Sequence, residues 1–80
     1  MKYKFSLEKY IHMYNHEIIC TYGTEKYMSI CESAPKKKET IIFWPDDFGL
    51  SQNRTEDLIK DLKEWAEDQS FDYIIQRGKR

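Results

Sequence analysis

The chain has 80 residues, with 13 lysines and arginines against 14 acidic residues, which gives a net charge of −1. This length predicts a single domain over residues 1–80 and excludes a kinase, a doubly wound nucleotide-binding fold or a barrel enzyme. The near-neutral charge excludes a wholly basic nucleic-acid domain. A composition that is 40% hydrophobic and 15% aromatic excludes a disordered chain.

The N-terminal segment predicts a helix after a short strand at residues 2–5. Apolar residues recur there with the i, i+3, i+4, i+7 spacing of an amphipathic helix, at Leu7, Tyr10, Ile11 and Tyr14. Ser6 precedes them and is a residue type that caps helices, so we expect a helix over residues 7–15. A strand is the alternative, because tyrosine and isoleucine also favour strands.

A β-hairpin is predicted next, from residues 17–22 and 26–31 on either side of Gly23-Thr24-Glu25. With a three-residue loop, the register of this hairpin places four side chains on the face toward the core: Ile18, Cys20, Met28 and Ile30. The same register places Cys20 and Cys31 on opposite faces of the sheet. We therefore expect no disulfide between them, and we expect both thiols to be reduced.

The second half of the chain predicts two further strands and a long helix. Residues 40–44 form an apolar run, and residues 45–49 contain the proline and glycine of a turn. Residues 54–68 predict the clearest helix, because one stripe is apolar and the rest is charged. Residues 71–76 predict the last strand, and residues 77–80 predict a flexible basic tail.

The predicted order of elements is therefore α-β-β-β-α-β. It favours a small α+β two-layer sandwich, in which two helices cover one face of a mainly antiparallel sheet of three to four strands. The run of helix, three strands and helix is similar to the order in double-stranded RNA-binding domains. Residues 54–61 lack the lysine-rich helix start of that family, so we infer no shared function.

Neither a secretory signal nor a membrane span is visible in the sequence. The first residues carry charge throughout, and no run reaches the ~18 apolar residues that a span needs. We therefore expect a cytoplasmic protein that does not bind a membrane.

Catalysis is not predicted by any set of residues. Asp47-Phe48-Gly49 spells the metal-binding triplet of kinases, but 80 residues leave no room for the rest of that machinery. The two cysteines lack a nucleophile signature, and Cys20 is expected to be buried, where a thiol is inert. We therefore expect a protein that is not an enzyme and needs no cofactor.

His12 and His16 form the alternative prediction of a metal site. They lie four residues apart, so on the predicted helix they share a face with Glu8, as metal-chelating histidines do. That face lies opposite the apolar stripe, and at most three ligands are present. A solvated helix face is the simpler interpretation, so we expect no metal.

The predicted helix over residues 54–68 carries an acidic stripe on one flank. Four carboxylates spaced i, i+4, i+7 and i+11 extend along about 16 Å of the helix, and no lysine or arginine lies on the same line of the helix surface. They are Asp57, Asp61, Glu64 and Asp68. Like charges four apart destabilise a helix, so the stripe favours a partner protein with a basic surface. Solubility is the competing explanation.

The sheet face away from the helices is a second candidate binding surface. In the predicted register it carries Ile19, Tyr27, Ile42, Trp44 and Ile74. An exposed apolar patch with aromatic residues usually marks an interface, so we expect a protein partner or a homodimer there. The alternative is that the helix over residues 7–15 crosses to cover this face.

Two basic elements predict an alternative nucleic-acid site. They are Lys36, Lys37 and Lys38 before the third strand, and Arg77, Lys79 and Arg80 after the last. If the two elements lie close together, they form one patch suited to phosphates. A solvated loop and a frayed tail are the competing explanation.

The leading hypothesis is a small non-enzymatic regulator or inhibitor that occludes a partner protein through the acidic stripe or the apolar sheet face. The small size and the lysine-, isoleucine- and tyrosine-rich composition suit small regulators and inhibitors encoded by low-GC bacteria, their phages or mobile elements. Anti-defence inhibitors, anti-CRISPR proteins among them, are one such class. The alternatives are a nucleic-acid-binding module and a histidine metal site.

Overall fold

A computed structural model describes residues 2–34 and 39–80 as a mixed sheet of five strands with one helix on one face. In chain order the elements are β1 (Lys4–His12), β2 (Asn15–Tyr22), β3 (Glu25–Ala34), β4 (Thr40–Phe43), α1 (Gln52–Asp68) and β5 (Asp72–Ile75). A 3₁₀ turn, Pro45–Phe48, precedes the helix. The first four strands pair antiparallel in chain order, and α1 returns the chain so that β5 runs parallel to β4.

The predicted α+β class is confirmed, but the helix predicted over residues 7–15 is wrong. Those residues form most of β1 and the turn into β2. Leu7 pairs with Ile18 of β2, and both side chains lie on the face toward α1. Pairing along a neighbouring strand outweighed the helical spacing, since the same tyrosines and isoleucine also suit a strand. Within residues 2–34 and 39–80 the fold therefore has one α-helix and five strands, where two helices and three to four strands were predicted.

The β2–β3 hairpin turns on two residues, Gly23 and Thr24, instead of the predicted three. Tyr22 pairs directly with Glu25 across this turn. Gly23 has φ of 61°, a conformation that glycine adopts without a steric penalty. The shorter loop shifts the register by one residue, and such a shift exchanges the two faces of β3.

The register shift corrects the prediction that Cys20 and Cys31 lie on opposite faces. Both are fully buried on the face toward α1, and both thiols are free. Cys20 pairs with Tyr27, which lies about 13 Å along β3 from Cys31, too far for a disulfide. Burial raises the pKa of Cys20 to about 11 and that of Cys31 to about 12, so both are neutral thiols.

The core lies between α1 and one face of the sheet. The helix contributes Thr55, Leu58, Ile59, Leu62 and Ala66. On the sheet side of the core, β4 lies next to the central strand β3 and contributes the buried residues Ile41 and Phe43. Ser51 caps the helix by accepting a hydrogen bond from the Arg54 N–H at 3.3 Å, which explains why α1 begins at Gln52.

Candidate protein-binding surface

Large exposed apolar side chains are concentrated where β1 turns into β2. Four of them occupy residues 10–14 and are called the hairpin tip: Tyr10, Ile11, Met13 and Tyr14, which are 52, 45, 75 and 56% exposed. Single exposed apolar residues are common on protein surfaces, but a contiguous group marks an interaction site. The hairpin tip is therefore the first candidate for a binding surface.

The backbone of the hairpin tip is held in an unusual conformation. Tyr10 and Met13 have φ of 55° and 53°, although neither is glycine. The pairing of β1 with β2 shifts between Glu8 and His12, which is a β-bulge. A left-handed conformation costs roughly 1–2 kcal/mol for such residues and persists only where the surroundings impose it.

His16 of β2 supports the bulge from inside the protein. Its fully buried ring accepts a hydrogen bond at Nδ1 from the backbone N–H of Tyr10 at 2.8 Å. Nε2 lies 2.6 Å from the hydroxyl oxygen of Ser33 on β3. Because a backbone N–H only donates, these contacts assign a neutral ring whose proton is on Nε2. The Tyr10 ring packs edge-on against the imidazole, with centroids 4.7 Å apart.

The residue before β4 ties down the base of the hairpin tip. Glu39 accepts a hydrogen bond from the Tyr10 hydroxyl and forms an ion pair with Lys9 at 3.1 Å. The Lys9 ammonium also lies 5.1 Å from the centre of the Phe71 ring, within range of a cation–π interaction. The carbonyl of Tyr14 accepts from the N–H of Ser33 at 2.8 Å. These contacts fix the tip's backbone while its apolar side chains remain exposed.

The predicted metal-binding histidines do not share a face. His12 is exposed at the end of β1, while His16 is in the core with both ring nitrogens hydrogen-bonded. Within residues 2–34 and 39–80, no three His, Cys, Asp or Glu side chains come together as a metal site. The helix-face geometry behind that alternative is therefore wrong.

The predicted acidic stripe divides into two parts. Asp61 Oδ2 accepts hydrogen bonds from the backbone N–H groups of Lys2 and Tyr3, at 3.0 and 2.9 Å. Asp61 therefore anchors the segment before β1 to the helix. The other three members are exposed on α1: Asp57, Glu64 and Asp68.

The sheet face opposite α1, here called the outer face, carries four of the five residues predicted for it: Ile19, Ile42, Trp44 and Ile74. Ile19 pairs with Met28, and Ile42 pairs with Ile74, so two apolar pairs lie there. Trp44 donates from Nε1 to Glu32 on the same face at 3.1 Å. Met28 and Ile74 are exposed, and the remaining residues are half-buried.

Tyr27 is the exception, because the hairpin register turns it toward α1. It joins Tyr3 and Tyr22 around the Arg54 guanidinium, whose carbon lies 5.6, 5.9 and 5.0 Å from the three ring centres. Arg54 Nη2 also lies 3.4 Å from a carboxylate oxygen of Glu25. This cluster joins the first turn of α1 to the β2–β3 hairpin, so Tyr27 does not belong to the outer face.

The residues of the predicted basic tail, 77–80, lie against acidic side chains. Arg77 pairs with Asp46 at 3.0 Å and with Glu56 at 3.1 Å. Arg80 pairs with Glu32 at 3.3 Å, on the outer face. The two arginines of the predicted phosphate-binding patch therefore already have anionic partners.

Lys79 donates to the carbonyl oxygen of Asp46 at 3.3 Å, which keeps it close to the same turn. The other half of that patch, Lys36, Lys37 and Lys38, lies outside the described residues.

Sequence reasoning missed the hairpin tip because it placed Tyr10, Ile11 and Tyr14 on the buried stripe of a helix. In a strand that reverses direction at residues 13 and 14, the same side chains are exposed. The one available signal for that reversal is Asn15, a residue type that favours turns.

Comparison of the chain with known protein families, curated proteins and solved structures finds no match. In the part of the chain that the structure describes, no helix is long and apolar enough to cross a membrane. We therefore infer a function from the exposed surfaces of the chain.

Proposed function

We propose that the chain is a small protein-binding domain that inserts its hairpin tip into an apolar cleft of a partner protein. The observation that carries this proposal is the concentration of four exposed apolar side chains on a backbone that the protein holds in a strained conformation. Strain of this kind clusters at functional sites. Tyrosine and large apolar side chains are also suited to anchoring an interface in a partner's pocket.

The contacts that hold the hairpin tip in place also favour a role in binding, in addition to the exposure of its side chains. His16 and Glu39 fix the backbone and the ring of Tyr10 before any partner arrives. A contact surface that is already ordered loses less conformational entropy on binding than a mobile loop does. The tip therefore has the properties of a preorganised insertion element.

A regulatory role by occlusion fits this surface better than catalysis. The thiols of Cys20 and Cys31 are buried and neutral, so they are poor nucleophiles. The His16 ring is fully buried and hydrogen-bonded at both nitrogens, so it does not reach a substrate as a general base. A non-enzymatic regulator or inhibitor of a partner protein is the corresponding proposal.

A protein partner also fits the charges better than a nucleic acid. Arg77 and Arg80 are paired with carboxylates, which reduces their attraction for phosphates. The exposed carboxylates of α1 would repel a nucleic-acid backbone. They instead suit a secondary contact with a basic rim around the partner's cleft.

Affinity capture with matched variants tests the proposal. Immobilised full-length wild type, Met13→Asp and Met28→Asp are incubated with nuclease-treated native lysate, and captured proteins are quantified by mass spectrometry. Met28 is the control, because it is the same residue type and is also exposed, at 58% against 75% for Met13, but lies on the outer face. We expect one protein to be captured by wild type and Met28→Asp, and at least tenfold less by Met13→Asp. Loss with Met28→Asp alone would assign the contact to the outer face, and equal capture by all three would refute insertion of the tip.

A further inference from the structure

We propose that His16 is an acid-sensitive switch, whose protonation removes the acceptor that holds the Tyr10 backbone and releases the hairpin tip from its bulged conformation. The switch is a property of the chain alone. Its consequence, weaker binding of a partner in acid, rests on the proposed function.

The geometry gives the neutral ring two complementary contacts. Nδ1 accepts from the Tyr10 N–H at 2.8 Å, and Nε2 lies 2.6 Å from the Ser33 hydroxyl oxygen. An imidazolium carries a proton on both nitrogens. After protonation, the Nδ1–H and the Tyr10 N–H face each other as two donors with no acceptor between them.

Of the two groups in this contact, we expect the Tyr10 backbone in the bulge to move and the buried His16 ring to stay in place. The His16 ring is fully buried, whereas Tyr10 lies at the exposed end of β1 with φ of 55°. Without the hydrogen bond to Nδ1, one of the contacts that impose this left-handed conformation is lost. We therefore expect Tyr10 to leave the bulge and the tip side chains that follow it to move.

The charges around His16 oppose an imidazolium. Burial, and after it the Lys9 cation on β1, lowers the pKa of His16 from its usual 6.5. From β3, the cross-strand neighbour Cys31 is a neutral thiol and Ser33 carries no charge. Glu39, before β4, reaches the hydroxyl of Tyr10 and the ammonium of Lys9.

The other acidic residues of these strands do not point at the ring. Alternation along β1, β2 and β3 places three of them on the outer face: Glu8, Glu17 and Glu32. Glu25 is on the face toward α1, but it lies at the far end of β3 and pairs with Arg54 at 3.4 Å. The imidazolium therefore gains no ion pair that would replace the lost hydrogen bond.

The test is an NMR titration of the full-length ¹⁵N-labelled chain from pH 7.5 to pH 4.5. The chain has two histidines, so His12→Gln leaves His16 as the one titrating imidazole. In that variant we expect the His16 ring to titrate below pH 6.5, with the amide shifts of residues 10–14 changing at the same midpoint. Across the transition, protection of the Tyr10 amide from hydrogen exchange falls about tenfold, as expected for loss of one hydrogen bond.

His16→Gln supplies the second arm, because its amide oxygen can accept from Tyr10 and cannot be protonated in this range. We expect residues 10–14 of this variant to lack the transition. The proposal is overturned if the His16 ring titrates in His12→Gln while the amides of residues 10–14 stay unchanged. It is also overturned if His16→Gln keeps the wild-type transition.

If His16→Gln does not fold, the His12→Gln titration decides alone. A chain whose tip responds to pH but whose Met13→Asp variant captures the partner normally would refute the proposed function and leave the switch standing.

Discussion

Arg77 holds the Asp46 carboxylate through two hydrogen bonds, from Nε at 3.0 Å and from Nη2 at 3.2 Å. The N–H of Gly78 donates to the same carboxylate at 2.6 Å. The Arg77 hydrogen bonds, followed by that of Gly78, hold the pKa of Asp46 below its usual 3.8. Asp46 of the 3₁₀ turn thus holds the segment after β5 against the rest of the protein.

Replacing Asp46 by Asn should loosen residues 77–80 without unfolding the domain. Hydrogen exchange at the Gly78 amide should rise severalfold, while the urea midpoint for global unfolding moves little, because exposed ion pairs contribute little to stability. Asp57→Asn is the matched control, since it removes a carboxylate that is exposed on α1. Unchanged exchange at Gly78 in Asp46→Asn would show that this carboxylate does not hold the segment.

The same contact predicts a pH dependence in the wild-type protein. Because the folded pKa of Asp46 is lowered, the carboxylate's contribution is fully present above the unfolded value near 3.8. It is lost as the pH falls through the lower, folded pKa. Resonances of residues 77–80 should therefore keep their docked positions at pH 5 and shift only under stronger acid, whereas a shift near pH 5 would contradict the contact.

The two parts of the acidic stripe should respond differently to mutation. Asp61→Ala removes the acceptor of two backbone N–H groups, one of them on the buried Tyr3, and should lower the free energy of unfolding by about 1–2 kcal/mol. Glu64→Ala, on an exposed position of the same flank, should stay within about 0.5 kcal/mol of wild type. Urea denaturation measures both values. Equal changes in the free energy of unfolding for the two variants would show that Asp61 has no structural role beyond that of an exposed carboxylate.

Leu62→Ala should be the more damaging kind of change, because it leaves a cavity between α1 and the sheet. Leu62 is fully buried, and Leu→Ala at such positions lowers the free energy of unfolding by about 2–5 kcal/mol. Its exposed neighbour gives the control, Lys63→Ala. A loss below about 1 kcal/mol for Leu62→Ala would mean that α1 does not pack as described.

His16 predicts a loss of stability in mild acid. Its folded pKa is lowered, so the unfolded chain binds the proton more readily. The free energy of unfolding should therefore be at its full value above pH 6.5 and decrease as the pH falls from there toward the folded pKa. Urea denaturation from pH 7.5 to pH 5.0 measures the slope. His16→Gln should flatten it, whereas an identical slope in that variant would remove His16 as the cause.

The helix over residues 54–68 was predictable because its signals are local. An apolar stripe and charged flanks repeat within one segment, and the structure extends that helix by two residues to Gln52. The strands β2 and β3 were predictable for the same reason. Their register was not, because a single loop residue decides which face each side chain occupies.

The features that the sequence did not predict, which are β1, the role of Asp61 and the hairpin tip, depend on contacts between distant parts of the chain. Tyr10 and Ile11 satisfy a helical stripe and a strand equally well, and only pairing with β2 decides between them. The partner of Asp61 lies 58 residues away at Tyr3, so its structural task leaves no mark in the helix sequence. The hairpin tip became visible only once β1 was placed as a strand.

Site-specific photo-crosslinking in the native lysate tests whether the hairpin tip is the surface that contacts a partner protein. A benzophenone side chain is introduced at position 13 in the hairpin tip, at position 28 on the outer face and at position 64 on α1, each in the full-length chain. We expect one protein to crosslink strongly from position 13, weakly from position 64 and not from position 28. Strong crosslinking to a protein from position 28 or position 64, with none from position 13, would contradict binding through the hairpin tip.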